Sequence, residues 1–238
     1  MADHDLFEAE QAALQAAEQA YAQETLDAGA YRGALHSLIT QFRRLVRESR
    51  RLILHSDRQE RELNALNTKL RQLATELDYK ARHDPLTGAL NRRAVIERTE
   101  ALLRNGHLAL IVLDIDYFKR INDECGHPVG DAVIVELVKR LRSIAPENAE
   151  IGRVGGEEFT VVLPHTEIGD AAALAEQMRA RVAAVPFSAP QERTVTASFG
   201  VSGAQRGGSF GDAYARADVA LYEAKRGGRN AVVCNKDS

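Results

Sequence analysis

The sequence predicts an α+β fold: a ferredoxin-like βαββαβ core preceded by an N-terminal helical stalk. Three observations carry this. Before residue 83 the chain has no proline, its only glycines are Gly29 and Gly33, and Ala, Leu, Glu, Gln and Arg dominate, which is helix-forming material. After Asp84-Pro85, short apolar runs alternate with longer amphipathic ones, the pattern of strands alternating with helices. Around Gly155-Gly156, two apolar runs (151–154 and 159–163) meet at a Gly-Gly step. That reads as a β-hairpin whose glycines supply positive φ. The boundary divides the chain into residues 1–82, a stalk for dimerisation and regulation, and residues 83–238, a globular domain.

In the stalk, residues 5–27 read as one Ala-rich helix and residues 29–33 as a break. From Leu35 a heptad register runs with Leu35, Phe42, Ser49, Ser56, Leu63, Leu70 and Leu77 at a, and Leu38, Leu45, Leu52, Gln59, Leu66, Leu73 and Lys80 at d. Such a seam predicts a coiled coil, and hence a homodimer joined through the stalk. Ile39, Val46 and Ile53 at e widen the stripe in the first half. A wider stripe suits a four-helix arrangement, made by the first helix folding back or by a regulatory protein on the N-terminal helices. The arginines from 43 to 51 read as a solvated face.

In the domain, residues 108–113 form an apolar strand. Residues 130–143 form a helix with Val133, Ile134, Leu137, Val138 and Leu141 on one face. The hairpin follows, then a helix over 168–184 that ends before Pro186, a strand over 195–201, a helix over 210–225 and a short strand over 231–233. Strand, helix, hairpin, helix, strand is the βαββαβ order.

Composition narrows the function classes. A net charge of −3 offers no basic excess for nucleic acid. No apolar run approaches the ~20 residues of a membrane span, and the acidic start is unlike a signal peptide, so the expected location is cytoplasmic. Cys125 and Cys234 lie in no metal-ligand spacing.

Three groups of residues carry chemistry. Glu157 and Glu158 stand at the mouth of the hairpin, where bare glycines let a nucleotide approach the backbone. Asp114 ends a buried apolar strand, where an acid is costly unless paired or bound to a cation; capping the next helix is the alternative. In this fold the strand of Asp114 can lie beside the hairpin. Three carboxylates with oxygen-only ligands suit Mg²⁺ together with substrate phosphates. Lys225 ends a helix and Arg229 follows a Gly-Gly turn. They read either as cations answering a helix dipole or as a phosphate clamp.

Taken together, Asp114-Ile115-Asp116 with Phe118-Lys119 and Asn122-Asp123, Gly126-His127 with Gly130-Asp131, the Gly155-Gly156-Glu157-Glu158-Phe159 hairpin, and Ala224-Lys225 with Gly228-Arg229-Asn230 resemble the GGDEF-domain diguanylate cyclases. The leading Asp84-Pro85-Leu86-Thr87-Gly88 with Leu90-Asn91-Arg92 also fits that family. The resemblance covers residues 83–234. The stalk, with its stretch over 56–64, is similar to the short cytosolic stalks of SiaD-type biofilm cyclases.

The resemblance implies a nucleotide-cyclase-like fold and a reaction in which two GTP become cyclic di-GMP and two pyrophosphates, one GTP per subunit. It implies that Asp114, the Ile115 carbonyl, Glu157 and Glu158 hold Mg²⁺, two ions per half-site, with Mn²⁺ able to replace it. Glu157 would deprotonate the attacking hydroxyl and Lys119 would stabilise transition-state charge. Lys225 and Arg229 would hold the β and γ phosphates, Asn122 and Asp131 would read guanine beside His127, and Phe118, Gly155 and Gly156 would line the substrate. Asp131 can accept from the N1–H and 2-amino group of guanine, which adenine lacks. The family's product-inhibition site is an Arg-x-x-Asp set, and Pro146 and Ala149 stand there instead; no feedback inhibition is expected. Two competing readings are a degenerate module that binds GTP or cyclic dinucleotide without catalysis, and a cyclase making a cyclic mononucleotide. Retention of the metal and guanine ligands argues against both.

Overall fold

The helix-forming first third of the chain gives two helices, α1 (Glu8–Ala22) and α2 (Ala28–Arg82). The computed structural model describes residues 7–23, 27–184, 187 and 194–235, and the chain divides into two compact units, Met1–Ala74 and Thr75–Ser238. The expected break at Gly29 to Gly33 is absent: both glycines lie inside α2. The start of α2 is set upstream, where the Asp27 carboxylate accepts from the Gly29 N–H at 3.3 Å and its carbonyl from Ala30 at 3.0 Å. That is a helix N-cap, and two glycines cost only about 1 kcal/mol each within so long a helix. The helix expected over 5–27 is shorter, and residues 5, 6 and 24–26 lie outside the described ones. α1 buries Ala13 and Ala20, and Phe7 and Leu14 share a groove with Leu38, Phe42 and Leu45 of α2. The first helix therefore folds back on the second.

The second unit adds β1 (Leu90–Asn91), α3 (Arg92–Leu103), β2 (Leu108–Ile115), α4 (Phe118–Cys125), α5 (His127–Arg142), β3 (Glu150–Arg153), β4 (Glu158–Pro164), α6 (Ile168–Ala184), β5 (Ala197–Ala204), α7 (Phe210–Arg226) and β6 (Val232–Cys234). The six-stranded sheet has the order β1-β3-β4-β2-β5-β6. Its four central strands pair antiparallel, and β1 and β6 join the edges in parallel. β2, α4 with α5, β3, β4, α6 and β5 make the βαββαβ core. β1, α3 and α4 are elements the sequence pattern did not resolve, being short or weakly amphipathic.

Every residue of β2 is buried, because both faces of the sheet are covered. Ala109, Ile111, Leu113 and Ile115 face one core with Ile134, Leu137, Met178 and Val182. Leu108, Leu110 and Val112 face the other with Val95, Leu103, Phe210, Ala217 and Leu221. Strand alternation then puts Asp114 on the second face, the one that α7 covers.

Candidate active site

The site grows from the end of β2. Asp114 is 5% exposed and pairs in register with Glu158 of β4 and Ser198 of β5. Lys225, in the last turn of α7, places its Nζ 2.9 Å from Asp114 Oδ1. This is the pairing that a buried acid requires. It also decides the smaller question about Asp114: α4 begins after Tyr117 with no side-chain cap. Burial pushes the Asp114 carboxyl up, Lys225 opposes that, and the charges of Glu158 and Asp116 add to it. Glu157 is pushed up by burial first, then by Asp114 and Glu158, with Lys225 opposing. Like charges so close disfavour joint ionisation.

The hairpin turn is built differently from the expectation. Neither Gly155 nor Gly156 has positive φ. The turn closes through the Glu158 carbonyl, which accepts from Val154 at 3.0 Å and from Gly155 at 3.3 Å. Arg153 adds a clamp. Its guanidinium donates to the Gly156 carbonyl at 2.6 and 3.1 Å and to the Asp84 carboxylate at 3.2 and 3.3 Å. Space matters at Gly155, where a methyl would meet the Glu158 side chain, whereas a methyl on Gly156 would have nothing within 4 Å. The backbone there is open to a ligand.

Among the described residues, no three His, Cys, Asp or Glu side chains form a metal-ligand cluster. Strand pairing brings Asp114 opposite Glu158, and the Ile115 N–H reaches the Glu157 carbonyl at 3.4 Å, with Lys225 as the cation beside Asp114. The donors are oxygen only, and their mutual repulsion is what a hard divalent cation relieves, so the residues suit a cation of that class.

The remaining residues lie around this corner or on α4 and α5. Phe118 is buried at the start of α4 and Lys119 is exposed beside it. Asn122 sits on the same helix, with a buried Oδ1 that has no hydrogen-bond partner. Gly130 makes room for it, since a methyl there would run into Asn122 Oδ1 and lie 3.1 Å from Phe118 Cζ. An orphaned acceptor is costly unless a ligand donates to it. His127 opens α5, and both it and Asp131 are exposed. Asp131 also borders a groove of about 340 Å³ with Leu86, Glu136 and Lys139. Arg229 follows α7, and its Nη1 donates to Tyr117 Oη at 3.2 Å.

Sequence reasoning gave no role to Asp116, Tyr117, Arg153 or Gly130, although Asp116 and Gly130 lie in the motifs it singled out. Asp116 is buried, accepts from Thr196 and Ser198 hydroxyls at 2.7 Å and from the Asn230 N–H at 3.0 Å, and so bolts the Arg229 turn to the sheet. Its signal was an acid two residues beyond Asp114, just after the same strand.

With this geometry in place, residues 81–231 match the family described as diguanylate cyclase, GGDEF domain. The chain belongs to that family. Its GGDEF domain is 46% identical over 158 residues to diguanylate cyclase DgcP of Pseudomonas aeruginosa, covering 63% of this chain and 23% of DgcP. The chain spans less than two thirds of the length of the curated relatives compared with it. Among solved structures, diguanylate cyclase SiaD in complex with its activator SiaC from Pseudomonas aeruginosa has a TM-score of 0.64 and 32% identity, covering 94% of this chain and 82% of that one. The coiled coil and GGDEF domain of DgcB from Caulobacter crescentus, in complex with c-di-GMP, has a TM-score of 0.69 and 30% identity, covering 73% and 95%. A helical segment ahead of a GGDEF domain is thus an architecture this chain shares with the DgcB structure.

Proposed function

We propose that the chain is a homodimeric diguanylate cyclase that condenses two GTP into cyclic di-GMP and two pyrophosphates for second-messenger signalling. The observation that carries this is the corner where Asp114, paired with Lys225, faces Glu158 beside an open Gly155-Gly156 backbone, in a chain of the GGDEF family. In each of two transfers, the 3′-hydroxyl oxygen of one GTP bonds to the α-phosphorus of the other, and the α–β bridging bond breaks to release pyrophosphate.

Asp114, the Ile115 carbonyl, Glu157 and Glu158 would hold Mg²⁺ or Mn²⁺. When bound, the cation neutralises phosphate charge and lowers the pKa of the attacking hydroxyl. The carboxylate of Glu157 takes the 3′-hydroxyl proton. Lys225 and Arg229 bind the β and γ phosphates, and Lys119 meets charge that develops in transfer. Asn122 offers its orphaned Oδ1 to guanine, and Asp131, with His127 nearby, accepts from the N1–H and 2-amino group. Phe118 fixes the start of α4 so that Lys119 and Asn122 point together.

One half-site holds one GTP, so assembly sets the rate through effective concentration. The leucine seam of α2 supplies the homodimer contact in this reading. Ile39, Val46 and Ile53, all exposed, receive a regulatory protein; the activator bound to SiaD supports that assignment. Pro146 and Ala149 meet in a turn, with Ala149 N–H to the Pro146 carbonyl at 3.0 Å. They offer a cyclic dinucleotide neither guanidinium nor carboxylate, so product does not inhibit there. Among the described residues no helix is long and apolar enough to cross a membrane, and GTP chemistry assigns the protein to the cytoplasm.

The test is incubation of the purified chain with GTP and Mg²⁺ followed by mass spectrometry. Cyclic di-GMP is expected, and Glu157→Ala abolishes it. Retained product in that variant would sink the assignment of the base.

A further inference from the structure

Two consecutive residues just after β2 grip the turn after α7. Asp116 holds the Asn230 N–H at 3.0 Å. Tyr117 holds the Arg229 side chain twice: its ring lies 4.4 Å from the guanidinium carbon, and its hydroxyl accepts from Nη1 at 3.2 Å. The backbone on both sides is unusual. Tyr117 has φ 57°, and Gly228, Arg229 and Asn230 have φ of 118°, 65° and 44°. A bulky aromatic in the left-handed region is uncommon. Tyr117 is nonetheless 60% exposed, so core packing does not account for it. What the ring does is cover a guanidinium. A free arginine loses much rotamer freedom when it binds an anion, and an arginine already stacked on a ring has lost it beforehand.

We propose that Tyr117 is a positioning residue that pre-orients Arg229 for the terminal phosphates of the nucleotide. This rests on the reading of Arg229 as a phosphate ligand. It separates the two ends of the substrate: the guanine end is gripped from α4 and α5, and Tyr117 serves only the triphosphate end.

The experiment is calorimetry on the full chain in Mg²⁺ with 3′-deoxy-GTP, which lacks the attacking hydroxyl, and with GMP, which lacks the β and γ phosphates. Tyr117→Asn removes the ring and keeps a residue tolerant of positive φ; Tyr117→Phe removes only the hydroxyl. For 3′-deoxy-GTP we expect affinity to fall about fivefold in Tyr117→Asn and about twofold in Tyr117→Phe. GMP affinity stays the same in both, and Tyr117→Asn adds nothing to Arg229→Ala. An equal loss for GMP, full additivity with Arg229→Ala, or no loss in Tyr117→Asn while Arg229→Ala weakens binding would each overturn the role of Tyr117 alone. If Arg229→Ala leaves 3′-deoxy-GTP affinity unchanged, the phosphate role of Arg229 fails, and the role of Tyr117 with it.

Discussion

β2 and α2 are both rich in Leu and Ile, and they treat those residues in opposite ways. All eight residues of β2 are buried, between helices of the same chain. None of the 55 residues of α2 is buried; Leu63, Leu66, Leu70 and Leu77 are each at least 60% exposed. A sheet with helices on both faces satisfies its own apolar surface. A long helix with a heptad stripe satisfies its surface only against another helix. The two regions therefore differ in what they need. The GGDEF domain covers its own apolar surface, and the leucine stripe of α2 is left for another helix to cover. In the proposed reaction, which needs two half-sites, that exposed stripe would be the part that brings them together.

The largest effect comes from breaking the stalk without touching the domain. Leu66→Asp with Leu70→Asp puts charge into the seam. Light scattering is expected to show loss of self-association, and cyclic di-GMP turnover to fall roughly 100-fold, while the melting of the domain stays in place. A domain that melts early in this variant would erase the contrast. A smaller effect, inside the domain, comes from Gly130→Ala. The added methyl would collide with Asn122 Oδ1 and is expected to push that side chain out of its place. KM for GTP is expected to rise about tenfold, the worth of one hydrogen bond to a buried group, with little change in melting temperature.

The smallest effect sharpens how the domain holds its hairpin. Burial alone would raise the Asp84 carboxyl, but two hydrogen bonds from Thr87 and the Arg153 guanidinium outweigh it and hold it below the usual range. A carboxyl lowered in the folded state contributes stability above its unfolded pKa of about 4 and loses it as pH falls through the folded value. Asp84→Asn is therefore expected to lower the melting temperature by about 5 °C near neutral pH. The gap to the parent protein should close under acid. A gap that persists at low pH would mean that the carboxylate charge is not what matters.

Much of this was legible in the sequence, and the misses have physical causes. The Asp114 strand, the hairpin and the cations at the end of α7 stood out because strand periodicity and unusual charges in apolar settings are local signals. The partners that fix the site are not local: Asp116 meets Ser198 and Asn230 across 82 and 114 residues, and Arg153 reaches Asp84 across 69. No periodicity encodes such pairs. Gly29 and Gly33 misled because a glycine pair reads as a break unless the strength of the preceding cap is weighed, and Asp27 supplies that cap. Gly155 and Gly156 misled in the other direction, since their value lies in the room they leave and not in their φ.

The Asp114–Lys225 ion pair has a further consequence. A corner of facing carboxylates ordinarily makes folding hostage to an ion, because the apo protein must hold the repulsion unaided. Here the last turn of α7 brings its own ammonium to the buried acid, at 2.9 Å. The buried acid thus has its counter-charge before any ion arrives, and a chelator is expected to leave the melting temperature of the domain unchanged.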